Sequence, residues 1–134
     1  MKAIDLFAQF ATDDAKEKGG VEVEYMGYKF LVARMGNRNY TRKLTDLAER
    51  YDAQLKRKDD AAAALDVKLT VDAMAETILV GWEGEIAFNG ESLAYSVENA
   101  KRLLGMKDFR REVIKMADDM EAYKVRQESE LGKP

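Results

Sequence analysis

Three pairs of neighbouring carboxylates, Asp13 with Asp14, Asp59 with Asp60, and Asp118 with Asp119, are the groupings in this sequence whose type suits metal ligation or paired-carboxylate hydrolysis. Their spacing argues against both. Neighbours in sequence point in different directions on a helix, and no pair falls in the loop pattern of an EF-hand or beside a histidine ligand. The sequence contains neither histidine nor cysteine, which excludes imidazole acid–base chemistry, thiol nucleophiles, thiolate zinc sites and disulfide staples together. Gly19 and Gly20 lack the lysine and the serine or threonine that complete a phosphate loop, so they read as a turn. An enzyme would have to use dispersed carboxylates and lysines. The expectation is a non-enzyme with no cofactor and no metal.

A second group is basic. Arg34, Arg38, Arg42 and Lys43, joined by Lys56, Arg57 and Lys58, would suit phosphate binding when interleaved with Tyr28 and Tyr40. Asp46, Glu49 and Asp52 lie on the same helix pattern, so a solvated face of intrahelical ion pairs is the plainer reading. The net charge of −3 gives neither the field of a duplex-binding protein nor the strong acidity of a nucleic-acid mimic. Nucleic acid is therefore not expected as a partner.

With 134 residues, 46% hydrophobic and 35% charged, the chain fits a single domain over 1–134, with its charged groups mostly outside and a polar, frayed tail over roughly 125–134. No apolar run is long enough to span a membrane, and Met1 to Phe10 lacks the charged-then-apolar order of a secretory signal. The cytoplasm is the expected location.

The elements that position these residues follow from periodicity. Ile4, Leu6, Phe7 and Phe10 suggest one face of a short helix ending by Gly19 and Gly20. Val21 to Tyr25 and Tyr28 to Ala33 read as a β-hairpin, which needs helices, another strand or another subunit to be stable. After a turn at Gly36 to Asn39, Tyr40, Leu44, Leu47, Ala48, Tyr51 and Leu55 repeat on one helical face. Lys56 to Asp60 predicts a charged break, Ala61 to Ala64 a resumption of helix, and Thr70 an N-cap. From there Val71, Met74, Ala75, Ile78, Leu79 and Trp82 step by threes and fours, predicting a helix that ends at Gly84. Asn89 and Gly90 suit a tight turn, Ser96 caps a helix burying Val97, Ala100, Leu103 and Leu104, and Asp108 caps the last helix. On that helix Phe109, Val113, Met116, Ala117, Met120 and Tyr123 line one side. The expected fold class is α+β, predominantly helical: a short-helix bundle with one N-terminal β-hairpin.

One constellation is distinctive in its order. Gly81, Trp82, Glu83 and Gly84 are followed by Asn89 and Gly90, then Tyr95, Ser96 and Asn99, then Leu103, Leu104 and Phe109, with Gly36, Asn37 and Tyr40 upstream. In this arrangement the chain resembles the tail assembly chaperones of long, non-contractile-tailed phages over roughly its last three quarters. Within the motif, Trp82, Gly84, Asn89, Gly90, Tyr95, Ser96, Leu103 and Leu104 are assigned a structural role. Trp82 would also serve as a partner anchor, but it closes a core stripe.

The resemblance implies a phage or prophage protein that binds and solubilises the tape measure protein before the tail tube polymerises around it. It also implies several copies per client, a homo-oligomer, and a frameshift-extended form that recruits tail tube subunits, with Gly132 and Lys133 as the residues of a slippery site. Such a protein acts in the host cytoplasm and is absent from the mature virion. Tyr28, Phe30, Phe109, Met116, Met120 and Tyr123 are the expected partner-binding residues; Met106, Met116 and Met120 suit an adaptable client surface, although core filler is the plainer reading of a methionine. The alternatives are a small regulatory or anti-host phage protein that binds a bacterial protein or nucleic acid through the basic face near Arg38, and a minor virion component.

Overall fold

Residues 3–125 are described by the structure, a computed structural model. Chain order begins with two short helices, α1 (Leu6–Phe10) and α2 (Asp14–Gly19), and the strands β1 (Val21–Tyr25) and β2 (Tyr28–Val32). Three helices follow, α3 (Arg38–Arg50), α4 (Asp52–Leu55) and α5 (Asp60–Thr77). Strands β3 (Leu79–Trp82), β4 (Glu85–Phe88) and β5 (Glu91–Ala94) come next, then α6 (Val97–Leu104), α7 (Lys107–Ala117) and a 3-10 turn over Met120–Tyr123.

The expectation of a short-helix bundle with a single N-terminal hairpin is overturned. Strands occur in several places along the chain, forming two antiparallel sheets, β1–β2–β3 and β4–β5, in a mixed helix-and-strand fold. The stripe expected to continue as helix to Trp82 stops at Thr77. Asn37 Nδ2 donates to Thr77 O at 3.2 Å and Ala33 N donates to Ile78 O at 2.8 Å, so the last carbonyls of α5 are taken up from outside the helix. Leu79 to Trp82 then pair with β2, with Phe30 opposite Trp82, Leu31 opposite Gly81, and a register shift before Val32 opposite Leu79. Edge pairing supplies the backbone partners that β2 lacked in an isolated hairpin. The stabilising strand is thus within the same chain.

Other boundaries move for equally local reasons. Asp59, not Thr70, caps α5: its Oδ1 accepts from Ala62 N at 2.8 Å, and the helix runs unbroken through the alanines. Thr70 lies mid-helix and turns its hydroxyl back to Asp66 O at 3.0 Å. Met106, without a side-chain cap, precedes α7, and Asp108 lies in its first turn. The N-terminal helix is interrupted at Ala11–Asp13, where Thr12 bridges Lys124 and Asp13 N donates to Tyr123 O at 2.8 Å. Of the expected tail, Val125 donates to Ala11 O at 3.1 Å; the rest, Gly132 and Lys133 included, lies outside the described residues.

Helix α5 is the centre of the molecule. Val71, Met74, Ala75 and Ile78 meet the strands, α6 and α7 in the main apolar cluster, while Leu69 and Ala73 join Leu47 of α3 in a second one, lined by Tyr40, Leu44, Tyr51, Leu55 and Leu65. A helix with apolar residues on more than one side is buried between layers. Asn37, 4% exposed, is the one buried polar residue among those described. Its Oδ1 caps α3 through Tyr40 N while its amide reaches Arg34 O and Thr77 O, binding the start of α3 to the end of α5.

Candidate functional site

The two hairpins close on the same kind of turn. Met26 and Gly27 join β1 to β2 with φ of 51° and 84°, and Asn89 and Gly90 join β4 to β5 with φ of 46° and 83°. Two successive positive φ values are the type I′ geometry that matches strand twist. Across the first turn Tyr25 pairs with Tyr28. Alternation along β2 then carries Tyr28 and Phe30 to one face, where Phe30 is buried. On the second hairpin alternation buries Ile86 and Leu93.

Aromatic rings tie these pieces together. Phe30 lies 6.4 Å from Tyr28, 6.4 Å from Trp82 and 5.7 Å from Phe109, and Trp82 meets Tyr95 edge to face at 5.0 Å. Such edge and tilted geometries are the favourable ones for ring quadrupoles. Trp82 Nε1 donates to Leu93 O at 3.1 Å, fastening β5 to the end of β3. Tyr28 Oη accepts from Ala87 N at 3.3 Å, linking the first hairpin to the second.

Between the hairpins and the α6–α7 junction these elements leave an apolar recess of about 150 Å³, lined by Tyr25, Tyr28, Phe30, Ile86, Phe88 and Phe109, among others. Met26, 81% exposed, and Met106, 43% exposed, stand at its rim. On the outer side Arg102 lies 5.4 Å over the Phe88 ring and pairs with Glu91, holding the Glu91 carboxyl below the usual carboxylate range. A concave apolar surface with unbranched, polarizable side chains at its edge suits an apolar side chain from another polypeptide.

The expected partner-binding residues divide. Tyr28, Phe30 and Phe109 converge on the recess. Met116 is half-buried against the main core and Met120 half-buried in the 3-10 turn. Tyr123 is wholly buried at the opposite end of the first hairpin, its hydroxyl donating to Val32 O at 2.9 Å. Burial and the neighbouring Asp119 push its pKa to about 12, with Arg34 opposing. It is scaffold. Of the expected structural motif, Trp82, Leu103 and Leu104 are buried, Tyr95 is half-buried, Ser96 Oγ accepts from Asn99 N at 3.0 Å, and Gly84, Asn89 and Gly90 take positive φ.

Met26, Ile86, Ala87 and Phe88 escaped sequence reasoning. The signal was present: alternation in Glu85–Phe88 and Glu91–Ala94 flanks an Asn–Gly pair, the pattern of a hairpin. One member of each acidic pair is an N-cap, for Asp13, Asp59 and Asp119 each accept from the first turn that follows. No group of three or more potential metal ligands occurs among the described residues. Much of the basic group is engaged by acids, Arg34 with Glu17, Lys43 with Glu76, Lys56 with Asp52 and Arg57 with Asp59. Among the described residues no helix is long and apolar enough to cross a membrane.

A family model described as YdaY prophage protein matches residues 35–133. The matched span begins after the first hairpin, so it holds one wall of the recess, from Ile86 to Phe109, while Tyr25 to Phe30 precede it. No curated protein and no solved structure matches the chain.

Proposed function

Since the chain belongs to the YdaY prophage protein family, we propose that it is a prophage tail assembly chaperone, a binding protein and not a catalyst, whose client is the long, helix-rich tape measure protein. The recess between the two hairpins carries the reading. It offers an apolar site of about 150 Å³ with methionines at its rim, a form suited to one bulky side chain from the apolar face of a client helix. A single such contact is weak. Repeated along a long client it gives avidity, while each copy stays removable when the tail tube displaces it. In this proposal the protein works in the host cytoplasm, is left out of the finished virion, and has a frameshift-extended form that brings tube subunits to the client.

The test is co-expression with the tape measure protein encoded in the same prophage. Soluble tape measure protein is expected to rise with the wild-type chain and to fall back with Met106→Lys and Ala87→Lys, which place charge at the exposed rim. Both variants should unfold at the wild-type temperature. Should the client stay as insoluble with the wild-type chain as without it, the proposal fails. Met116→Lys serves as the contrasting variant, because its half-buried side chain packs on the core: its effect should appear first as lost stability.

A further inference from the structure

Strand β1 is an open edge of the three-stranded sheet, since β2 stands between it and β3. The turn fixes which backbone groups that edge exposes. In a two-residue hairpin the residues flanking the turn exchange both hydrogen bonds, and such pairs alternate with pairs that exchange none. Tyr25 with Tyr28, Val23 with Phe30 and Val21 with Val32 are therefore the bonded pairs. Lys29 O, which accepts from Glu83 N at 3.0 Å on the β3 side, has the matching phase. Glu22 and Glu24 turn their amides and carbonyls outward, away from β2.

Room is left beside these groups. A groove of about 690 Å³ follows Val21, Glu22, Val23 and Glu24, with Lys16, Asp119 and Ala122 on its other side. Charge on an edge strand commonly guards it against other strands, and a covering segment serves the same end. Here the segment around Ala122 stands off from the edge and does not cover it. The open length, four residues, matches roughly 10–13 Å of extended chain.

The walls select what would lie there. Glu22 and Glu24 are exposed on the outer face. No ion pair among the described residues includes either of them, or Lys29, which stands opposite Glu24. Asp119 adds a third carboxylate, while the Lys16 ammonium is turned to Lys124 O at 3.2 Å. Val21, Val23 and Ala122 make the inner side apolar. An antiparallel strand on this edge sets two side chains against Glu22 and Glu24 and turns the residue between them inward over Val23. Another copy of β1 is unsuited, because it would set glutamate against glutamate.

We propose that the outer edge of β1 binds an extended segment of a different protein, one in which basic and apolar residues alternate, as a fourth, antiparallel strand of the sheet. Backbone bonds to Glu22 and Glu24 supply affinity and their carboxylates supply the choice of partner. The recess and its client take no part.

The test is fluorescence anisotropy of a labelled Lys-Val-Lys-Val-Lys peptide with the purified full-length chain at low salt. Binding is expected. Methylating the lysine amides, which face β1, should abolish it, whereas methylating the valine amides, which face away, should not. Glu22→Lys with Glu24→Lys changes exposed side chains only; it should weaken this peptide by about tenfold or more and gain affinity for Glu-Val-Glu-Val-Glu. If that variant lowers the unfolding temperature, Glu22→Gln with Glu24→Gln replaces it, with a smaller loss expected. A wild type that binds no peptide would overturn the proposal. So would binding that ignores methylation of the lysine amides, which would mean charge attraction without strand pairing, or binding that both glutamate variants keep in full. A wild-type dimer that the peptide splits into monomers would also overturn it, since the edge would then belong to a second copy.

Discussion

The two hairpins share a turn geometry but not a turn chemistry. In the second, Asn89 takes the first positive-φ position, where its short amide side chain is well tolerated; in the first the same position holds Met26. An ordinary L-residue in this conformation costs on the order of 1–2 kcal/mol. Met26 offsets little of that through burial, since its side chain is largely in water beside the recess. The hairpins also differ in how they are held. The first is extended by β3 and fastened by Tyr123, whereas the second is a two-stranded sheet held by Trp82, Tyr28 and its packing on the core. One hairpin is secure enough to carry an unfavourable turn residue. The other uses the residue best suited to the turn.

The largest expected break of this contrast is Trp82→Ala. It removes the ring between Phe30 and Tyr95 and leaves Leu93 O without its indole donor. A loss of about 3–5 kcal/mol is expected, read by denaturant unfolding, with amide exchange rising more in β4 and β5 than in β1 and β2.

Next comes Gly90→Ala, which places a Cβ on a residue with φ of 83°. The expected cost is about 1–2 kcal/mol by the same measurement, and Gly27→Ala, at a φ of 84°, should match it. Unequal costs would show that the turns are not equivalent.

Tyr123→Phe probes the fastening of the first hairpin. Removing the bond to Val32 O should cost about 1 kcal/mol at neutral pH. The hydroxyl value rises from 10.0 to about 12 in the folded protein, so the unfolded chain releases this proton first. Stability should hold below pH 10 and fall between pH 10 and about 12. In the phenylalanine variant that alkaline fall should be shallower.

The smallest effect sharpens the comparison most. Met26→Asn should stabilise the fold by about 0.5–1 kcal/mol in thermal unfolding while lowering soluble client in co-expression. A gain in stability with client binding unchanged would remove Met26 from the binding surface.

These contrasts show what the sequence made legible. The first hairpin and the Ser96 cap follow from local chemistry, and each is found, while the stripe from Tyr40 to Leu55 is helical but split at Tyr51 between α3 and α4. The second sheet was not read, although Asn89 and Gly90 marked its turn. Four-residue strands next to a long apolar stripe are swallowed by the helical period, and Ile78, Leu79 and Trp82 fit that period by spacing alone. What decides their state is the open edge of β2, a tertiary fact. The candidate site was half legible. Tyr28, Phe30 and Phe109 could be picked out as aromatic, but placing Tyr123 in the scaffold and Met26 at the rim depends on which end of the hairpin each one meets. The helix expected around Phe7 and Phe10 forms, and its side chains stay in water because the break at Ala11–Asp13 turns it away from the core.

Strand β3 pairs with β2 across the whole of α3, α4 and α5. Such a pairing brings together segments far apart in the chain, whose loop must close before the contact contributes anything, and that slows assembly. The first hairpin must therefore wait, with its inner edge open, until the three helices have condensed. During synthesis this edge is vulnerable to mispairing between nascent chains. The acids Glu22 and Glu24, alternating along the outer strand, are placed where charge discourages stacking on the other side.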